Sequence, residues 1–71
     1  VRAAALIKET EPGTWQVSMR GNGVDVASVA RDFDGGGHMY AAGCTMEGGR
    51  EEVAQRLTRA LEAAVEASPD A

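Results

Sequence analysis

Three groups in the chain have the chemistry to hold an anion: Ser18 and Arg20 in "WQVSMRG", and the run Gly35-Gly36-Gly37-His38 in "DGGGHMYAAG". A guanidinium presents a planar fork of donors that matches phosphate or carboxylate, and a hydroxyl two residues away adds another donor. Glycines leave backbone amides uncovered by Cβ, so a phosphate can approach them closely. An imidazole beside them can donate a hydrogen bond or exchange a proton near neutral pH. Each group also has a plain structural explanation. Glycine runs serve as helix stops or connections, a strand-end arginine is usually a solvated charge, and a single histidine among apolar residues is commonly a structural hydrogen-bonding group. The run is not a P-loop, because no Gly-Lys-Ser/Thr follows. It is not a dinucleotide fingerprint either, because the glycine spacing differs and no strand precedes it.

Other chemistries are poorly supplied. Cys44 is the only cysteine and His38 the only histidine among 71 residues, whereas a structural zinc site takes four such ligands. No disulfide can form within the chain. A free cysteine suits a reducing compartment, and Cys44 is expected to pack as a small apolar side chain. No Ser or Cys nucleophile has a positioned His–acid pair, and the Asp/His density of a two-metal phosphoesterase site is missing. No apolar run approaches the roughly 20 residues that span a bilayer. The net charge of −4 argues against gripping nucleic acid by bulk electrostatics. That charge is unevenly spread: residues 1–46 carry four basic and five acidic groups (−1), and residues 47–71 carry three and six (−3). The glycine-rich half is therefore near neutral.

The elements that would position these groups follow from periodicity. Ala5 to Glu9 is a short, partly apolar run, and "EPGT" supplies Pro then Gly for the centre of a turn. Trp15, Val17 and Met19 alternate with Gln16, Ser18 and Arg20, the period of a half-buried strand. Ser18 and Arg20 then share the face opposite Trp15. Asp25 is placed as the N-cap of a short helix, with Val26, Val29, Ala30 and Phe33 on one stripe. One of the glycines 35–37 is expected to end that helix in the left-handed conformation. Ala42 to Met46 reads as a short buried strand. Arg50 to about Ala67 is the clearest helix, with a stripe of Val53, Leu57, Ala60, Leu61, Ala64 and Val65, acidic Glu51 and Glu52 in its first turn, and Ser68-Pro69 as its stop. Trp15 is expected in the core, while Tyr40 could pack or stack a base. The sum is strand, strand, helix, strand, helix: a small α+β domain, residues 1–67, with helices packed on a small mixed sheet and a frayed tail at 68–71.

Taken together, these blocks resemble the DHH-associated domain, the C-terminal accessory domain of phosphoesterases named for an Asp-His-His motif. Ser18 and Arg20 match a strand ending in S-x-R, Asp25 to Ala30 match a short "vDVs.iA" helix, and Gly35 to His38 with Ala41 to Gly43 match G-G-G-H followed by A-A-G. The likeness covers roughly residues 15–65 in order and spacing. It departs at Asp34, where many members have a fourth glycine, and at Gly21, where a serine often follows the arginine. The resemblance implies a domain that faces a separate N-terminal DHH domain across a cleft. By that resemblance the N-terminal domain holds the Asp/His cluster and two divalent metals, usually manganese. By the same resemblance Gly35, Gly36, Gly37 and His38 surround a substrate phosphate, and Arg20, helped by Ser18, binds another.

No D-H-H motif occurs in these residues, so the chain is expected to be inert alone and to hold no cofactor of its own. Its start at Val1 rather than Met suggests an excised piece of a cytoplasmic phosphoesterase. The small-substrate type, acting on short oligonucleotides or 3′-phosphoadenosine 5′-phosphate, is favoured over a RecJ-like exonuclease. Its expected partners are the DHH domain of the same chain and the nucleotide substrate, with no membrane. The alternatives are a free-standing nucleic-acid-binding module and a dimerisation domain that pairs with a second copy.

Overall fold

The computed structural model describes residues 2–68. Six elements follow one another: β1 (Ala3–Glu11), β2 (Thr14–Gly21), α1 (Val26–Asp32), β3 (Gly36–His38), β4 (Ala41–Glu47) and α2 (Arg50–Ala67). The strands form one sheet in the order β1-β2-β4-β3, with every neighbour antiparallel, so the sheet is antiparallel throughout and not mixed as expected. The fold is α+β, and both helices lie on one face of the sheet.

Alternation on β2 drives that layering. Trp15, Val17 and Met19 are buried while Gln16, Ser18 and Arg20 are exposed. Cys44 and Met46 of β4 face the same way as Val17 and Trp15, their register partners. Val24, Val26, Val29 and Ala30 cover them from the α1 side, and Val53 and Leu57 from α2. Removing a Val or Leu side chain from water contributes about 1.5–3 kcal/mol, so this single cluster is the main source of stability in so small a domain. The Trp15 indole also donates to the Gly48 carbonyl at 3.0 Å, satisfying its one polar atom. Further along α2, Ala60, Leu61, Ala64 and Val65 pack against the edge of the core but stay half-exposed.

Asp25 caps α1 as expected, its carboxylate accepting from the Ser28 amide at 3.1 Å. The other end of α1 differs from the sequence expectation. The residue in the left-handed region is Asp34, φ 63°, and none of the glycines 35–37 takes that place. The Gly35 amide donates to the Ala30 carbonyl at 2.7 Å and the Asp34 amide to Arg31 at 3.1 Å. That pair of bonds is a Schellman stop. Aspartate tolerates the conformation better than most side-chain-bearing residues, so the glycines are released for another purpose. They enter a fourth strand, β3, which periodicity alone leaves as a loop. Three residues with almost no side chains between them show no alternation, so pairing with β4 is what defines the strand.

Residues 69–71 of the expected tail lie outside the described residues. Ser68 closes α2, and its hydroxyl donates to the Gly23 carbonyl at 2.8 Å and accepts from the Arg2 guanidinium.

Candidate functional site on the open sheet face

Register brings the separate sequence blocks together on the face that carries no helix. Arg20 lies opposite Ala41, and Ala41 lies opposite His38. Residues directly opposite in antiparallel strands point to the same side. Arg20 and His38 therefore share one cross-strand row with only an alanine methyl between them. Two strand spacings separate their backbones, about 9.5 Å. The next row runs Ser18, Gly43, Gly36. The structure thus gathers Ser18, Arg20, Gly36 and His38 around a shallow trough whose floor is Ala41 and Gly43.

Gly35 and Gly37 stand apart from Gly36. A Cβ on Gly35 would collide with the Gly43 carbonyl oxygen and with Cys44. Gly37 has φ 145°, and a Cβ there would come within 2.6 Å of the Ala42 Cα. Those two glycines are demanded by the packing of α1's end and β3 against β4. Gly36 has no such reason: a Cβ there would meet nothing within 4 Å, and its φ lies outside the left-handed region. The residue is exposed on the open face beside Gly43.

Ser18, Arg20 and His38 are all exposed. Among the described residues, side-chain hydrogen bonds run through Arg2, Glu9, Thr10, Trp15, Asp25 and Ser68, none of which belongs to the two rows. Among the described residues the Arg20 guanidinium and His38 imidazole make no hydrogen bond to the protein. Charge supports an anion here. From Ala4 to Lys8 on β1 and from Gln16 to Arg20 on β2, the outward positions hold Lys8 and Arg20 and no carboxylate, whereas the chain as a whole is at −4. The nearest outward acid on β4 is Glu47, at the opposite end from Ala41.

A cavity of about 860 Å³ shares Ser18 and Gly43 with the trough and continues around the free edge of β4 past the end of β3. Asp32, Asp34 and Glu47 line it against a single cation, Arg56, which rests over the Phe33 ring at 5.5 Å. Three carboxylates to one guanidinium make that part of the cavity a poor phosphate site, whereas the Arg20–His38 row lies outside it. Cys44 is buried at its border, and burial pushes the thiol above its usual range. It is a packing residue, as its neighbours suggest. Among the described residues no three His, Cys, Asp or Glu side chains converge to hold a metal ion. Among the same residues, no helix is long and apolar enough to cross a membrane.

Two contributors escape a reading by residue type. Ala41 matters as a spacer, which only the register reveals. Leu6, 71% exposed, faces outward in the Ser18 row. A signal for it exists in the sequence: Leu6 and Ile7 are consecutive, and a strand buried on one side can cover only one of them.

The described residues thus form a small α+β domain with one sheet face sealed by helices and one face open, the open one carrying guanidinium, imidazole and bare glycine. More particularly, the family model described as the DHHA1 domain matches residues 1–67, and the chain belongs to that family. DHHA1 domains are associated with DHH-family phosphoesterases and normally sit with an N-terminal DHH domain in the same chain.

Proposed function

We propose that this domain clamps the phosphates of a short oligonucleotide or phosphorylated nucleotide while a DHH domain hydrolyses the phosphoester. Gly36 carries the reading. It is the one glycine of the run that the fold does not require, and it lies on the open face in the Ser18 row, two residues from His38. An uncovered backbone at that point has a use if a ligand comes within hydrogen-bonding distance of it. Arg20 supplies a bidentate contact to one phosphate and Ser18 a hydroxyl beside it. His38 donates to a second phosphate, with Gly35 and Gly37 holding the strand that presents it.

No residue of this domain is assigned a bond-breaking step. A divalent metal, manganese in our reading, would neutralise charge on the reacting phosphate; among the described residues of this domain no three His, Cys, Asp or Glu side chains converge to hold it. We place the parent protein in the cytoplasm, with its DHH domain as the partner across the cleft.

Steady-state kinetics of the parent protein, DHH domain included, on a dinucleotide and on 3′-phosphoadenosine 5′-phosphate test the proposal. Gly36→Val is expected to raise KM at least tenfold with an unchanged thermal midpoint, because the fold has room for the side chain. His38→Ala should lower kcat/KM on both substrates. Full activity of Gly36→Val would exclude a phosphate cradle at this strand.

A further inference from the structure

Leu6 is the feature of the open face that phosphate binding leaves unexplained. It is the most exposed large apolar side chain among the described residues, at 71%. Register places it directly opposite Ser18, so one row reads Leu6, Ser18, Gly43, Gly36 across all four strands. Beyond Leu6 that row contains nothing larger than a serine. It forms a trough about 14 Å long, three strand spacings, with a leucine standing at its β1 end.

Leu6 and Arg20 are diagonal neighbours, because Arg20 lies opposite Ala4, two residues from Leu6. Diagonal neighbours across a sheet lie about 7–8 Å apart, roughly the distance between a nucleotide's phosphate and the ring it carries. The surroundings also limit what Leu6 can contact. Ala4, Lys8, Gln16 and Ser18 on the same face are small or polar. One isolated apolar side chain suits the face of one planar ring. A stable protein–protein contact buries about 800 Å² on each partner around an apolar centre, which this neighbourhood does not provide.

Resting on the phosphate reading above, we propose that Leu6 forms a nucleobase subsite, packing against the face of the base whose phosphate is held by Arg20. Leu6 itself offers the ring an apolar contact with no hydrogen-bonding group. It therefore selects for the presence of a base over its absence more than for one base over another.

Calorimetric binding to the parent protein, DHH domain included, in EDTA, which prevents turnover, tests this with two probes: 5′-phosphorylated diadenylate and the same compound lacking both bases. Leu6→Ala is expected to weaken diadenylate binding about five- to tenfold, leaving the abasic probe and the thermal midpoint unchanged. Leu6→Met should restore most of the loss, since an unbranched apolar chain still covers the ring. Arg20→Ala should weaken both probes. If Leu6→Ala leaves both affinities unchanged, or lowers both equally along with the thermal midpoint, the subsite is wrong, and in the second case Leu6 packs against the DHH domain. If Arg20→Ala leaves both probes unaffected, the phosphate reading itself fails and takes the subsite with it.

Discussion

The two faces of the sheet are built from the same strands, yet they answer to different demands. On the helix side Trp15, Val17, Met19, Cys44 and Met46 interlock with the valines of α1 and α2, and each is less than a tenth exposed. On the other side the intervening residues are Gln16, Ser18, Arg20, Ala41, Gly43 and Thr45, and no element of the described chain covers them. A sheet this small needs one packed face to fold. Nothing in that requirement fixes what stands on the second face, so its pattern of one guanidinium, one imidazole and a floor without side chains can be set by what binds there.

The sharpest test of the contrast sets adjacent residues against each other. Met19→Asp would bury a carboxylate at a site 1% exposed, and unfolding by urea should show a loss of about 4 kcal/mol or more. Arg20, one residue on and facing the other way, should behave oppositely. Arg20→Ala is expected to leave the urea midpoint in place while raising KM about 10- to 100-fold, equivalent to about 1.4–2.8 kcal/mol of lost binding.

The glycine run divides along the same line. Gly35→Ala forces a methyl into the Gly43 carbonyl and Cys44 and should cost about 2–3 kcal/mol of stability. Gly36→Ala should leave stability within about 0.5 kcal/mol and weaken substrate binding. Equal thermal midpoints for the two variants would erase the distinction between packing glycine and binding glycine.

Smaller effects belong to the covered side alone. Asp25→Ala removes the α1 cap bond to Ser28 and should cost about 1 kcal/mol. Cys44 gives the smallest signal. Its folded-state thiol holds its proton above the ordinary value of 9.0. At lower pH the thiol is neutral in both states and adds no pH dependence. As pH rises past that value the unfolded thiol ionises first, so stability falls. Thermal melts of Cys44→Ala should lose that part of the alkaline decline.

Much of the covered face is legible in the sequence because it is periodic. The alternation of Trp15, Val17 and Met19 and the stripes through Val26–Ala30 and Val53–Val65 are local patterns, and local patterns survive in a linear sequence. The same alternation puts Ser18 and Arg20 on one face. What it does not contain is their meeting with His38. That depends on β2 pairing with β4, and β4 with a three-residue strand whose residues carry almost no side chains. The left-handed residue after α1 escapes a linear reading for a related reason. Three glycines compete with Asp34 for the position, and only the requirements of β3 decide among them.

The spacer strand β4 has a consequence for how this domain could change its preferences. Arg20 and His38 stand on strands two apart, and hydrogen bonding holds adjacent strands at about 4.8 Å. No substitution can widen or narrow that interval without breaking the sheet. In this domain the gap between the two groups can be tuned only through side-chain reach and through the height of the residue at position 41. The backbone acts as a fixed gauge, and the chemistry is adjusted only at its tips.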